Sequence, residues 1–174
     1  MSVTSRVKKA TEAVARVFVP DEDENDIDIL DTLEKEHDAV KLLLSDLQDA
    51  DAAAERLALV RKIKLLLVPH MEAEEKVVYS AVIALEDADA QIDGHEGHLE
   101  HELASKTLER LESIADAASA EHKATAKVLM DLLEHHILEE ESNIWSDLEE
   151  LFSEDDRARM NLEFQMAKKQ VRVA

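Results

Sequence analysis

Two segments of the chain repeat one arrangement of side chains, His70-Met71-Glu72-Ala73-Glu74 and His136-Ile137-Leu138-Glu139-Glu140. In each, a glutamate follows a histidine by four residues, inside sequence whose apolar spacing predicts helix. Four helical residues turn through about 400°, so the imidazole and the carboxylate leave the same face one turn apart. Such a pair can hold one metal ion, or its carboxylate can bridge two. A further histidine lies upstream of each, His37 being 33 residues before His70 and His101 35 residues before His136. The chain therefore reads as two copies of one unit, a helix with a His followed by a helix with His-x-x-x-Glu.

Four long helices must position these residues. The first, residues 28–49, places Leu30, Leu33, His37, Val40, Leu44 and Leu47 on one seam at spacings of three and four, as in a packed bundle. A short turn, with Asp51 as its cap, leads to the second, 52–86, whose seam carries Ile63, Leu67, His70, Glu74, Val77 and Ala81. Pro69 sits inside that helix and should bend it, either as a tolerated kink or so as to aim His70. Residues 86–94, rich in Asp and Ala, read as a loop. The third helix, 95–117, carries His101, Ala104, Leu108 and Leu111. The fourth, 121–152, carries Leu129, Leu133, His136, Glu140, Ile144 and Leu151. Short turns imply antiparallel neighbours, so the expected fold is an all-α, up-down antiparallel four-helix bundle over residues 28–152. A C-terminal helix, 154–170 within a segment 153–174, opens on a Ser153/Asp156 capping box and lays Met160, Phe164 and Ala167 on the bundle's end. Residues 1–27 read as a basic amphipathic helix, 3–18, followed by an acidic linker. The expected role of residues 3–18 is docking on the acidic body, or contact with a membrane or protein partner.

Composition agrees with helix and narrows the function. Only two Gly and two Pro occur among 174 residues, 45% of which are hydrophobic and 35% charged. No alternating strand pattern is present. The net charge of −21 argues against nucleic acid and anionic membrane surfaces as partners. The absence of cysteine excludes disulfides, thiolate catalysis, iron–sulfur clusters and Cys-based zinc sites. No apolar run is long enough to span a bilayer, and the N-terminus has no secretory core, so a cytoplasmic location is expected.

A lone histidine on an apolar seam is ordinarily a hydrogen-bonded core residue. Here all four long helices carry one, and two add a glutamate one turn later. Buried without partners, those groups would cost several kcal/mol for each charge, a cost that a dinuclear metal centre removes. The ferritin-like pattern requires Glu-x-x-His twice, and only Glu34-x-x-His37 fits it. The strings Leu33-Glu34-Lys35-Glu36-His37-Asp38, His70-Met71-Glu72-Ala73-Glu74-Glu75, Glu100-His101-Glu102-Leu103 and His135-His136-Ile137-Leu138-Glu139-Glu140-Glu141, in that order, resemble the hemerythrin-like HHE cation-binding family. The resemblance covers roughly residues 28–152.

The resemblance implies a non-haem di-iron centre with an oxo or hydroxo bridge, manganese or zinc being less favoured occupants. His37 and His70 would ligate one iron, His101 and His136 the other, and Glu74 and Glu140 would bridge them. Oxygen-carrying hemerythrins place two histidines four residues apart on the third helix; this chain has Gly97 at that position, with His98 one residue on. His98 is then an additional ligand, an outer partner or a surface residue. Glu75 is a further ligand only if its helix is distorted near Pro69. Roughly twelve coordination positions less about ten filled leave about two open, enough to admit a small oxidant. The implied function is binding of, or reaction with, dioxygen, peroxide or nitric oxide. Alternatives are an iron- or oxygen-responsive sensor acting through a partner, and an iron-handling protein. Tyr79 and Trp145 read as core residues, and His95, His122 and His135 as exposed or off the seam.

Overall fold

The structure, a computed structural model, describes residues 27–173, and every element among them is helical. The expected helix 3–18 lies outside the described residues. Helix α1 (Ile29–Asp49) opens where Asp28 accepts a hydrogen bond from the Leu30 backbone N–H at 3.0 Å. Helix α2 (Ala53–Glu74) runs through Pro69 into a π-helical turn, Glu75–Tyr79, and then a last turn, α3 (Ser80–Ile83). Helices α4 (Ala88–Ser113), α5 (Ala120–Ser142), α6 (Ile144–Leu151) and α7 (Glu154–Lys168) complete the order. None is long and apolar enough to cross a membrane.

α1 packs on α2 and α5, and α4 on α5, α2, α3 and the π turn; α7 lies against α1, α2 and the π turn. Apolar side chains form two clusters along the bundle. One holds Leu43, Leu47, Ile63, Leu111 and Leu133; the other holds Ile29, Leu33, Val78, Tyr79, Leu148 and Phe164. The candidate histidines fall between them in sequence, His37 between Leu33 and Val40 and His136 between Leu133 and Ile144. The polar band is therefore sealed by hydrocarbon at both ends, where burial contributes about 25 cal/mol per Å².

Apart from shifts of a few residues at helix ends, among them α4 closing at Ser113 rather than 117, the elements depart from the sequence reading at four places. α4 starts at Ala88, inside the expected loop 86–94, because Asp87 accepts from the backbone N–H groups of Asp89 and Ala90, each at 3.0 Å. The expected helix 121–152 is interrupted at Asn143, whose φ of −97° and ψ of −64° separate α5 from α6. The departure from α geometry in the second helix lies at Glu75–Tyr79, a turn beyond Pro69. Asp51 does not cap α2, whose N-cap is Ala52 with no side-chain bond. The turn is held by Arg56, fully buried, which donates through Nη1 to the carbonyls of Leu47 (2.6 Å) and Ala50 (3.0 Å). Its Nε and Nη2 both lie 3.2 Å from His122 Nδ1, so His122 is buried and off the surface where its position in the sequence had placed it. The Ser153/Asp156 capping box opens α7 as expected.

Candidate metal centre

The structure brings the six spaced side chains together in the buried band. Donor atoms of His37, His70 and Glu74 lie within 4.8 Å of one another, as do those of Glu74, His101 and His136. Glu74 is common to both groups, its Oε2 being 3.3 Å from His70 Nε2 and 3.4 Å from His101 Nε2. Glu140 spans the other side, with Oε2 3.3 Å from His37 Nε2 and 3.7 Å from His136 Nε2. All six residues are at most 5% exposed.

Each imidazole is held from behind by a carboxylate. His37 Nδ1 lies 3.0 Å from Glu141, His70 Nδ1 3.1 Å from Glu36, His101 Nδ1 3.1 Å from Glu75 and His136 Nδ1 2.7 Å from Glu100. An ionised carboxylate only accepts, so each Nδ1 donates to the carboxylate behind it, and each Nε2 is the nitrogen left facing the interior. Backing carboxylates of this kind fix the tautomer and orientation of metal-ligating histidines. Sequence reasoning passed over Glu36, Glu100 and Glu141 and treated Glu75 only as a ligand. The signal was adjacency, since each backing glutamate is a sequence neighbour of a candidate ligand on another helix. Glu75 thus stands outside the centre, where it also meets His98 Nδ1 at 3.4 Å. His98 accordingly faces Glu75 at the half-exposed rim.

Tyr79 is the residue the spacing did not single out. The π turn brings its ring over α4, where a Cβ on Gly97 would sit 2.6 Å from Tyr79 Cζ and 2.9 Å from its hydroxyl oxygen. The ring therefore takes the room that Gly97 leaves. Its hydroxyl lies 3.3 Å from His101 Nε2 and 3.5 Å from His136 Nε2, inside the cluster. Trp145 stacks on the outer side of His37, with ring centroids 6.4 Å apart, and Phe164 of α7 stands edge-on to His70 at 5.9 Å.

The electrostatics show what the cluster lacks. Burial alone would lower the His70 pKa, but Glu74 and Glu36 outweigh it and push the value up to about 10. Burial opposes ionisation of His37 and His101 as well, yet Glu140 and Glu141 raise the first, and Glu74 and Glu75 the second. Glu74, despite burial that would raise it, is held well below the usual carboxylate range by His70 and His101. Positive charge is favoured at the centre, as protons or as a cation. Both oxygens of Glu74 and of Glu140 are buried with no aligned hydrogen-bond donor. Bonds of about 2.1 Å from one ion at right angles place neighbouring donors about 3.0 Å apart, close to the Nε2–carboxylate separations here. Mixed imidazole and carboxylate donors suit first-row transition metals. The residues present thus fit a cation.

Fold and site together define a helical protein whose buried imidazoles and carboxylates could hold a metal ion. The chain belongs to the hemerythrin HHE cation-binding domain family, whose model matches residues 28–146. It is also similar to a protein named DNA nickase from Nostoc sp. (strain PCC 7120 / SAG 25.82 / UTEX 2576), 26% identical over 159 residues. That match covers 91% of this chain and 44% of the relative, so the chain spans less than half the relative's length. No solved structure matches the chain.

Proposed function

We propose that the chain is a non-haem di-iron protein, built on an up-down bundle of α1, α2, α4 and α5, that binds or reacts with dioxygen, peroxide or nitric oxide. His37, His70, His101 and His136, with Glu74 and Glu140 between them, would hold the iron. The observation that carries this reading is the pair of buried, donor-less carboxylates facing four imidazoles whose Nε2 atoms are all turned inward. Bound iron would supply redox chemistry and open positions for a small molecule.

The chain's own residues then have distinct roles. Glu36, Glu75, Glu100 and Glu141 keep the imidazoles in one tautomer. Tyr79 holds a proton at Oη, because burial and the Glu140 and Glu74 carboxylates push its pKa well above the ordinary phenol range. From there it hydrogen-bonds within the cluster or gives way to a ligand oxygen. Phe164, Trp145 and the two apolar clusters exclude water. A narrow cleft past Gly97, Glu100 and Asn143 reaches Tyr79, His136 and Glu140, a passage suited to small molecules.

The test is metal content together with optical spectroscopy. About two irons per chain are expected, with a near-ultraviolet and visible spectrum that bleaches on reduction and returns with oxygen or peroxide. Iron-loaded protein whose spectrum ignores reductant and oxidant rejects the redox reading. The likeness to a DNA nickase favours a second reading, metal-dependent cleavage of a phosphodiester. Against it stands the charge of −21, which repels a polyphosphate. Conversion of supercoiled plasmid to open circle by the loaded protein, abolished by chelator, decides for that reading.

A further inference from the structure

The motif on α5 is doubled. Beside His136…Glu140 stands a second pair, His135…Glu139, displaced by one residue and so by about 100° around the helix. Glu100 of α4 connects the two. Its Oε2 receives the His136 Nδ1 proton at 2.7 Å, while its Oε1 lies 3.8 Å from His135 Nε2. His135 Nε2 is in turn 3.5 Å from Glu139 Oε2, and one donor atom from each of the three falls within 4.8 Å of the others. The set is one imidazole and two carboxylates, graded from the surface inward. His135 is 59% exposed, Glu139 39% and Glu100 17% by side chain.

A group of this kind on a surface is unremarkable by itself, but this one borders the cleft that leads to the centre. Glu100 and Glu139 line that cleft with Asp93 and Glu96, and its inner wall carries Glu140, 3% exposed with neither oxygen hydrogen-bonded. Glu140 turns its Oε2 to His37 and His136 of the buried centre, so a cation drawn to the acid-lined mouth has a donor-less carboxylate ahead of it at the inner end. The field there is negative, since partial burial and the carboxylates of Asp89, Glu139 and Asp87 raise the Asp93 pKa.

We propose that Glu100, His135 and Glu139 form an outer site for a divalent first-row transition cation, from which the ion passes along the cleft to the buried centre. One imidazole with two carboxylates suits Fe²⁺, Mn²⁺ or Zn²⁺. The exposed position makes the site a weak, fast-exchanging one, since its ligands are not held in one geometry. Transfer is a change of ligands with no change of oxidation state. Glu100 is the shared element, because it backs His136 with one oxygen and reaches the outer site with the other. The inward step rests on the dinuclear reading; the outer site does not.

The test compares the full-length, metal-free chain with its His135→Ala/Glu139→Gln variant, whose altered side chains lie at the surface. Mn²⁺ titration followed by electron paramagnetic resonance should show one fewer ion bound per variant chain. Anaerobic Fe²⁺ uptake, quenched with chelator at intervals, should be at least about five-fold slower in the variant, with the same final iron content. Equal Mn²⁺ stoichiometry or equal uptake rates would overturn the proposal. If neither protein retains iron, the dinuclear reading falls, while a one-ion difference in Mn²⁺ still upholds the outer site.

Discussion

A phenol, four imidazoles and two carboxylates share the buried band, and single substitutions separate their roles. In Tyr79→Phe the ring still fills the room beside Gly97 while the oxygen near His101 and His136 is removed. The expected result is near-unchanged stability of the metal-free protein with an altered visible spectrum of the iron-loaded one. An unchanged spectrum would place Tyr79 outside the metal's reach. Gly97→Ala does the opposite, forcing a methyl to within 2.6 Å of the ring. It should cost about 1–3 kcal/mol in denaturant unfolding, as overpacking does. Glu75→Ala takes the acceptor from His101 Nδ1 and should lower metal affinity about 10–100-fold in chelator competition, leaving the helical content intact. Much of this was legible beforehand. A His-x-x-x-Glu spacing fixes two side chains on one helical face, so the seams turn all six toward the interior, and the family resemblance groups them at one level. Tyr79 was not legible, because its place depends on a π turn and on a void left by a glycine of another helix. His122 was hidden for a similar reason, its partner Arg56 lying 66 residues away.

At the scale of elements, the bundle departs from regular helix where the site needs it to. The π turn at Glu75–Tyr79 follows immediately on Glu74, letting one helix supply Glu74 to the centre, Glu75 to the back of His101 and Tyr79 to the space beside His136. An unbroken α-helix would turn Glu75 about 100° from Glu74 and keep it there. Helix seams could be read from periodicity, whereas this extra residue in one turn leaves no mark in apolar spacing. The start of α4 was missed because the Asp- and Ala-rich run 86–94 resembles a loop; its Gly94 is instead a contact point for Ile83, as Gly97 beyond it is for Tyr79. At the far end, Arg56 ties its own helix, α2, to the end of α1 and, through His122, to α5. Arg56→Met should preserve much of the packing volume yet strand two carbonyls. A loss of about 3–5 kcal/mol in equilibrium unfolding is expected, with metal content unchanged. A loss below about 1 kcal/mol would mean that water replaces the guanidinium at little cost.

The molecule as a whole carries 21 more negative than positive charges and places a cluster of titratable groups at its middle, so its stability should depend on pH differently with and without metal. In the metal-free protein, His70 has its pKa raised from 6.5 to about 10, and those of His37 and His101 are raised too. A group that binds its proton more tightly when folded stabilises fully below its unfolded pKa. That contribution fades as pH rises from about 6.5 toward the folded value. Glu74 and Glu36, whose pKa values are depressed, behave in the opposite sense, contributing above 4.5 and losing that contribution as pH falls. His122, lowered by burial and Arg56, likewise weakens the fold as pH drops below 6.5. Metal-free protein should therefore be most stable near pH 6.5 and lose stability toward pH 10. A bound cation replaces those protons, so its binding releases them and strengthens as they become easier to remove. Thermal unfolding of metal-free and metal-loaded protein at pH 6.5, 8 and 9.5 should then show the gap in Tm widening by several degrees as pH rises. A gap that stays constant or narrows would mean that the cation does not take the place of the protons on His37, His70 and His101, and that the buried cluster is satisfied by its own ion pairs.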